Sequence, residues 1–239
     1  MEVPHHRAHA KESSKSWKSN LGEFLMLFLA VFSGFIAENL RENYVEKERA
    51  HQYVTSMVSD LQKDTLQLQQ FINANKRVLK GIDTLLFNLK EPASDSVLKK
   101  IYIDGSFVAA SSLFENFNGT ITQLKNAGGL RLIKDTAVVN FIMAYDQFNE
   151  RIKKQGDAYY KTTLEIINVM EDIMDFSIVV KRTPKPVFFL SPNADKIRFF
   201  YNKCYMQKQI ISSYTALLGQ QKREAVAGIT LLRKHYHIK

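Results

Sequence analysis

The chain has 239 residues, 45% hydrophobic and 24% charged, with a net charge of +9. That is enough for one core of domain size plus an appendage, and too apolar for a disordered chain. A single cysteine, Cys204, excludes an internal disulfide and any multi-cysteine zinc site. The positive charge is spread rather than blocked, and no glycine–aromatic or recognition-helix pattern accompanies it, which argues against nucleic acid as a partner.

Residues 1–20 are polar, carry Arg7, Lys11, Lys15 and Lys18, and read as a disordered leader. Residues 21–40 read as a transmembrane helix. Its centre, residues 24–37, has no charge and no proline. Twenty helical residues cover about 30 Å, the thickness of a hydrocarbon core. Cleavage as a signal peptide after Ala37 would need a small residue where Phe35 stands. A soluble buried helix would keep a polar stripe, whereas Leu, Phe, Met, Val and Ile cover every face here. Four basic residues precede the span against Arg41, Lys47 and Arg49 after it, which places the N-terminus in the cytoplasm. Trp17 and Glu23 suit the membrane interface. Gly34 and Ala37 would let neighbouring spans approach closely, and so favour a homo-oligomer.

Residues 41–239 read as an all-α bundle domain. A first long helix covers 41–90, with a coiled-coil-like seam at Val54, Val58, Leu61, Thr65, Leu68, Ile72, Asn75, Leu79, Ile82, Leu86 and Leu89. Met57, Phe71, Val78 and Leu85 widen it, as a bundle requires. A short helix at 94–101 is capped by Ser94 and ended by Asp104-Gly105-Ser106. Another at 120–127 opens on a Thr120/Gln123 capping box and stops at Gly128-Gly129. Asp135 caps a second long helix over 136–180, whose inner side reads Val139, Ile142, Met143, Tyr145 or Asp146, Phe148, Ile152, Tyr159 or Tyr160, Leu164, Ile167, Met170 and Met174. Ser191-Pro192 starts a third over 192–236, whose inner side is Ile197, Phe200, Cys204, Gln207, Ile211, Tyr214, Leu218 and Ala225.

Three long helices with short connections are expected to run up, down and up in an antiparallel bundle. That order brings residues 181–190 to the membrane end. Lys181, Arg182 and Lys185 would there meet phosphates, and Phe188 and Phe189 would dip into the interface. The competing reading makes the phenylalanines a plug for the end of the core. The C-terminus would finish far from the bilayer.

The span resembles the anchor of a family of uncharacterised single-pass membrane proteins of Gram-negative bacteria. The resemblance lies in Gly22-Glu23, Gly34, Ala37, Asn39 and Glu42, and downstream in Leu124, Lys125, Gly128, Leu130, Leu132 and Ile133. It implies an inner-membrane protein with a helical periplasmic domain, and it supplies no catalytic residues.

No Walker loop, HExxH or GxSxG occurs. His5, His6 and His9 lie in the leader, His51 stands alone, and His235 and His237 point about 200° apart on a helix. Glu171, Asp172 and Asp175 read as a solvated acidic face. No catalytic, cofactor-binding or metal-binding residue is assigned. The expectation is a membrane-tethered, non-enzymatic module. It would act by binding envelope proteins through helix packing, as a complex subunit or a sensor-like module. Two alternatives are an enzyme with an inter-helix cavity, for which Thr65 and Asn75 are the inward polar residues, and a soluble scaffold.

Overall fold

A computed structural model describes residues 17–179, 189–190 and 193–238. Its helices are α1 (Trp17–Asn88), α2 (Asp95–Val108), α3 (Gly119–Asn126), α4 (Thr136–Ile173) and α5 (Ala194–Tyr236), with 3-10 turns at Gly129–Leu132 and Phe176–Val179. The all-α expectation holds. The chain divides into two units, Met1–Arg49 and Ala50–Lys239. The division falls within α1.

In the first unit, α1 begins at Trp17, so 17–20 are helical rather than part of a disordered leader. Residues 1–16 lie outside the described residues. All of residues 24–37 are exposed. Phe24, Phe28 and Phe32 stack along one face, with centroids 6.4 and 5.7 Å apart, as four-residue spacing dictates.

In the second unit the seam of α1 is buried, with Val54, Leu61, Leu68 and Ile82 fully enclosed. Two apolar clusters lie along the unit. One joins residues 54–61 of α1 to Ile121, Leu124, Ile133, Val138, Ile142, Ala225 and Leu232. The other joins residues 68–86 to α2, the C-terminal half of α4 and the N-terminal half of α5. The start of α1 in this unit therefore lies beside the start of α4 and the end of α5. Polar pairs agree: Gln69 with Lys222, Asp83 with Lys208, Thr163 with Gln207. So α1 and α4 run parallel, and α5 is antiparallel to both.

This corrects the up-down-up order. Residues 89–135 form a crossover, not a short connection. The chain needs about 51 Å to return from residue 88 to the level of residue 54. The fourteen residues of α2 supply about 21 Å, and extended residues 109–118 up to about 33 Å. A non-helical stretch against the bundle must find partners for its backbone polar groups. Side chains of three helices supply them. Asp64 accepts from the Phe117 N–H at 2.7 Å, the Tyr214 hydroxyl accepts from the Phe114 N–H at 2.8 Å, and the Tyr159 hydroxyl donates to the Ala110 carbonyl at 2.9 Å.

Local boundaries differ for physical reasons. α2 continues through Asp104-Gly105-Ser106 to Val108, because Gly105 is a packing glycine: a Cβ there would meet Met170 Cε at 3.2 Å. Asn118, not Thr120, precedes α3, and the Thr120 hydroxyl is drawn instead to Asp60 at 2.6 Å. Gly128 takes φ 63° and ends that helix as expected. Asp135 caps α4 through the Ala137 and Val138 N–H groups. α4 ends at Ile173 rather than 180. α5 is capped by Asn193, which accepts from the Asp195 N–H at 2.8 Å. The expected start at Ser191-Pro192 lies outside the described residues.

Candidate functional site

The expected site residues do not converge. Trp17 is 75% exposed at the start of α1. Gly34 and Ala37 are exposed on α1, and nothing lies within 4 Å of a Cβ placed on Gly34. Glu23 lies in the second turn of α1 rather than its first. Lys181, Arg182, Lys185 and Phe188 lie outside the described residues. Phe189 is buried, pairs through its backbone with Met174, and joins the core beside α1 and α5. It takes the core-plug reading, and its ring is not offered to an interface. The crossover also overturns the premise that brought this segment to the membrane end. Phe189 packs with the cluster that contains Leu86 and Ile101, at the end of the unit opposite Ala50.

Apart from Tyr145, the residues that do converge are ones the periodicity passes over. Between the two apolar clusters lies a polar layer. Asp64 is 1% exposed. Besides the Phe117 N–H, it accepts from the Tyr145 hydroxyl at 2.7 Å. On α5, Gln221 donates through Nε2 to the Tyr145 carbonyl at 3.2 Å and to Asn149 Oδ1 at 2.6 Å. One layer thus ties α1, α4, α5 and the crossover together. Burial pushes the Asp64 carboxyl up to about 6, against the opposing pull of its two hydrogen bonds, and nearby Asp60 adds to the rise. Burial, and then the charge of Asp64, raises the Tyr145 phenol.

The polar layer borders a cleft of about 360 Å³ between the crossover and α4, lined in part by Asn116, Asn118, Asn149, Glu150, Lys153 and Asp157. A smaller one of about 150 Å³ shares Asn116, Asn118, Asn149 and Glu150 with it. Amides and mixed charges give the wall both donors and acceptors, suited to a small polar ligand. Two apolar clefts lie at the other end of the unit. One of about 410 Å³ is lined by Leu89, Val97, Leu98, Ile101, Ile197 and Tyr201. The other, about 430 Å³, is lined by Tyr102, Ala109, Ala110, Ile167, Met170 and Phe176.

Other candidates resolve plainly. Cys204 is buried, and desolvation raises its thiol, so it packs as a small apolar residue. Glu171 and Asp172 are exposed, and Asp172 pairs loosely with Lys196 at 3.9 Å. His235 does have a carboxylate companion, Asp135, whose pKa this contact lowers, with help from the capping N–H groups. Among the described residues no group of three or more His, Cys, Asp or Glu is placed to hold a metal. Asn75 is fully buried with both amide atoms unpartnered, and Thr65 bonds its own helix at 2.8 Å to the Leu61 carbonyl.

In comparison with protein-family models, curated proteins and solved structures, nothing matches the chain. Among the described residues one helix is long and apolar enough to cross a membrane, and its apolar window, near the N-terminus, is 0% buried.

Proposed function

We propose that this is a single-pass membrane-tethered helical module that acts by binding. One observation carries the reading: residues 24–37 form about four apolar helical turns, exposed on all sides, inside a chain with a separate, filled core. Such a surface marks a lipid or protein contact, and a helix apolar all round suits lipid. The resemblance to single-pass inner-membrane proteins and the basic leader support a cytoplasmic N-terminus and a periplasmic bundle.

The expected helix-packing seam cannot serve a partner, because α4, α5 and the crossover already cover it. The two apolar clefts beside α2 take its place as the surface for an envelope partner. The polar cleft at Asn149 is the place for a small ligand in a sensor-like role.

Carbonate washing of isolated membranes tests the tether: the chain is expected in the pellet. Leu29→Arg, a charge near the centre of the span costing about 3 kcal/mol, is expected to shift it toward the supernatant. Release of the unmodified chain would sink the reading. Protease added to spheroplasts tests orientation, with digestion of the bundle expected while the inner membrane is intact.

A further inference from the structure

Three elements meet at the end of the second unit where the chain enters it. They are residues 50–58 of α1, residues 129–135, and the last turns of α5. Leu130, Ile133, Leu232, Tyr236 and Ile238 share one apolar cluster with Val54, and His235 meets Asp135. The charge at this end is one-sided. Arg131, Lys134 and Lys234 are exposed and Arg233 is half-buried. The one acid among residues 129–135 and 229–238 is Asp135, already engaged by His235 and the cap of α4. Residues 50–59 carry no acid and no Lys or Arg. The first acid beyond them, Asp60, is held by Thr120 and Lys63. Residues 41–49, leading in, balance three Lys/Arg against three Glu. The C-terminus of α5 by itself favours Arg233 and Lys234. It gives no reason for Arg131 and Lys134, which come from another element.

Chain length limits where this end can be. Residues 41–49 separate it from the apolar span, and nine residues reach about 14 Å as helix and at most about 32 Å extended. Lipid headgroups are the charged surface held within that reach, whatever the angle between the two units.

We propose that this basic end of the bundle is an electrostatic docking surface for an anionic bilayer, the one that holds the span. The proposal rests on the tethered reading above. Exposed Arg131, Lys134 and Lys234 face lipid phosphates with half-buried Arg233 beside them, and added salt weakens the contact because exposed charges are screened.

The test is hydrogen exchange on the full chain in nanodiscs, either zwitterionic or with about 30% anionic lipid. Amides of 131–135 and 233–238 are expected to exchange about fivefold more slowly in the anionic discs. The difference is expected to vanish with Arg131→Gln, Lys134→Gln and Lys234→Gln combined. These are exposed sites outside the core. It is also expected to vanish for the unmodified chain at about 0.5 M salt. Equal exchange in both discs, or slowing that survives salt and substitution, would overturn the proposal while leaving the tether intact. A chain that does not enter either disc overturns the tether itself, and the docking surface with it.

Discussion

Asp64 shows how one side chain can set a protein's response to pH. A carboxyl held near 6 in the fold and near its ordinary value of 3.8 when unfolded binds a proton more tightly in the folded state. Its contribution is therefore fully present below about 4 and is lost as the pH rises through about 6, by up to about 3 kcal/mol. Urea unfolding across about pH 3.5–7 is expected to show that decline, and Asp64→Asn is expected to flatten it. A profile that runs parallel with and without this substitution would mean another group carries the effect. Tyr145→Phe removes a donor that the charged carboxylate needs most. It is expected to cost about 1–3 kcal/mol above about pH 7 and less near about pH 4.

At the scale of the element, close approach decides what the helices tolerate. On α5, a Cβ on Gly228 would stand 1.9 Å from the Phe141 ring of α4, whereas one on Gly219 meets nothing nearer than Arg223 at 3.9 Å. Gly228→Ala is expected to destabilise by about 1–3 kcal/mol through overpacking. Gly219→Ala is expected to stabilise by about 0.5–1 kcal/mol through helix propensity. Denaturant midpoints of the two variants compare them directly, and the same sign for both would contradict this packing. The helices themselves are legible in the sequence, as are the caps at Asp135 and Gly128 and the inner face of α5 from Phe200 to Leu218. Periodicity fails where an apolar or neutral residue stands next to an inward polar one. It selects Thr65 in place of Asp64, Phe148 in place of Asn149, and Leu164 in place of Thr163. Steps of three and four are interchangeable, so hydrophobicity casts the deciding vote. The structure buries the polar neighbour instead, because each has a partner on another element.

At the scale of the molecule, the crossover reverses α4 and α5 relative to the simplest bundle. Spin labels at Thr55 and Thr230, both exposed, are expected to lie close together. Labels at Thr55 and Lys196 are expected several tens of ångströms apart, since about 34 residues of helix separate their levels. The opposite pattern would restore the up-down-up order. Reversal also moves the exposed cations. Arg131, Lys134 and Lys234 come to the end where α1 enters, with half-buried Arg233 beside them.

The amino-acid sequence by itself determined the helices, the caps at Ser94 and Asp135, the stop at Gly128 and the apolar stretch of residues 24–37, because turn chemistry and hydrophobic period act over a few neighbouring residues. Only the tertiary structure decided the direction of α4 and α5, and it alone brought Asp64, Tyr145, Asn149 and Gln221 into one layer. A backbone stretch such as residues 109–118 has no period to read. Its path is set by Asp64, Tyr159 and Tyr214, whose hydrogen bonds span 49 to 100 residues of chain.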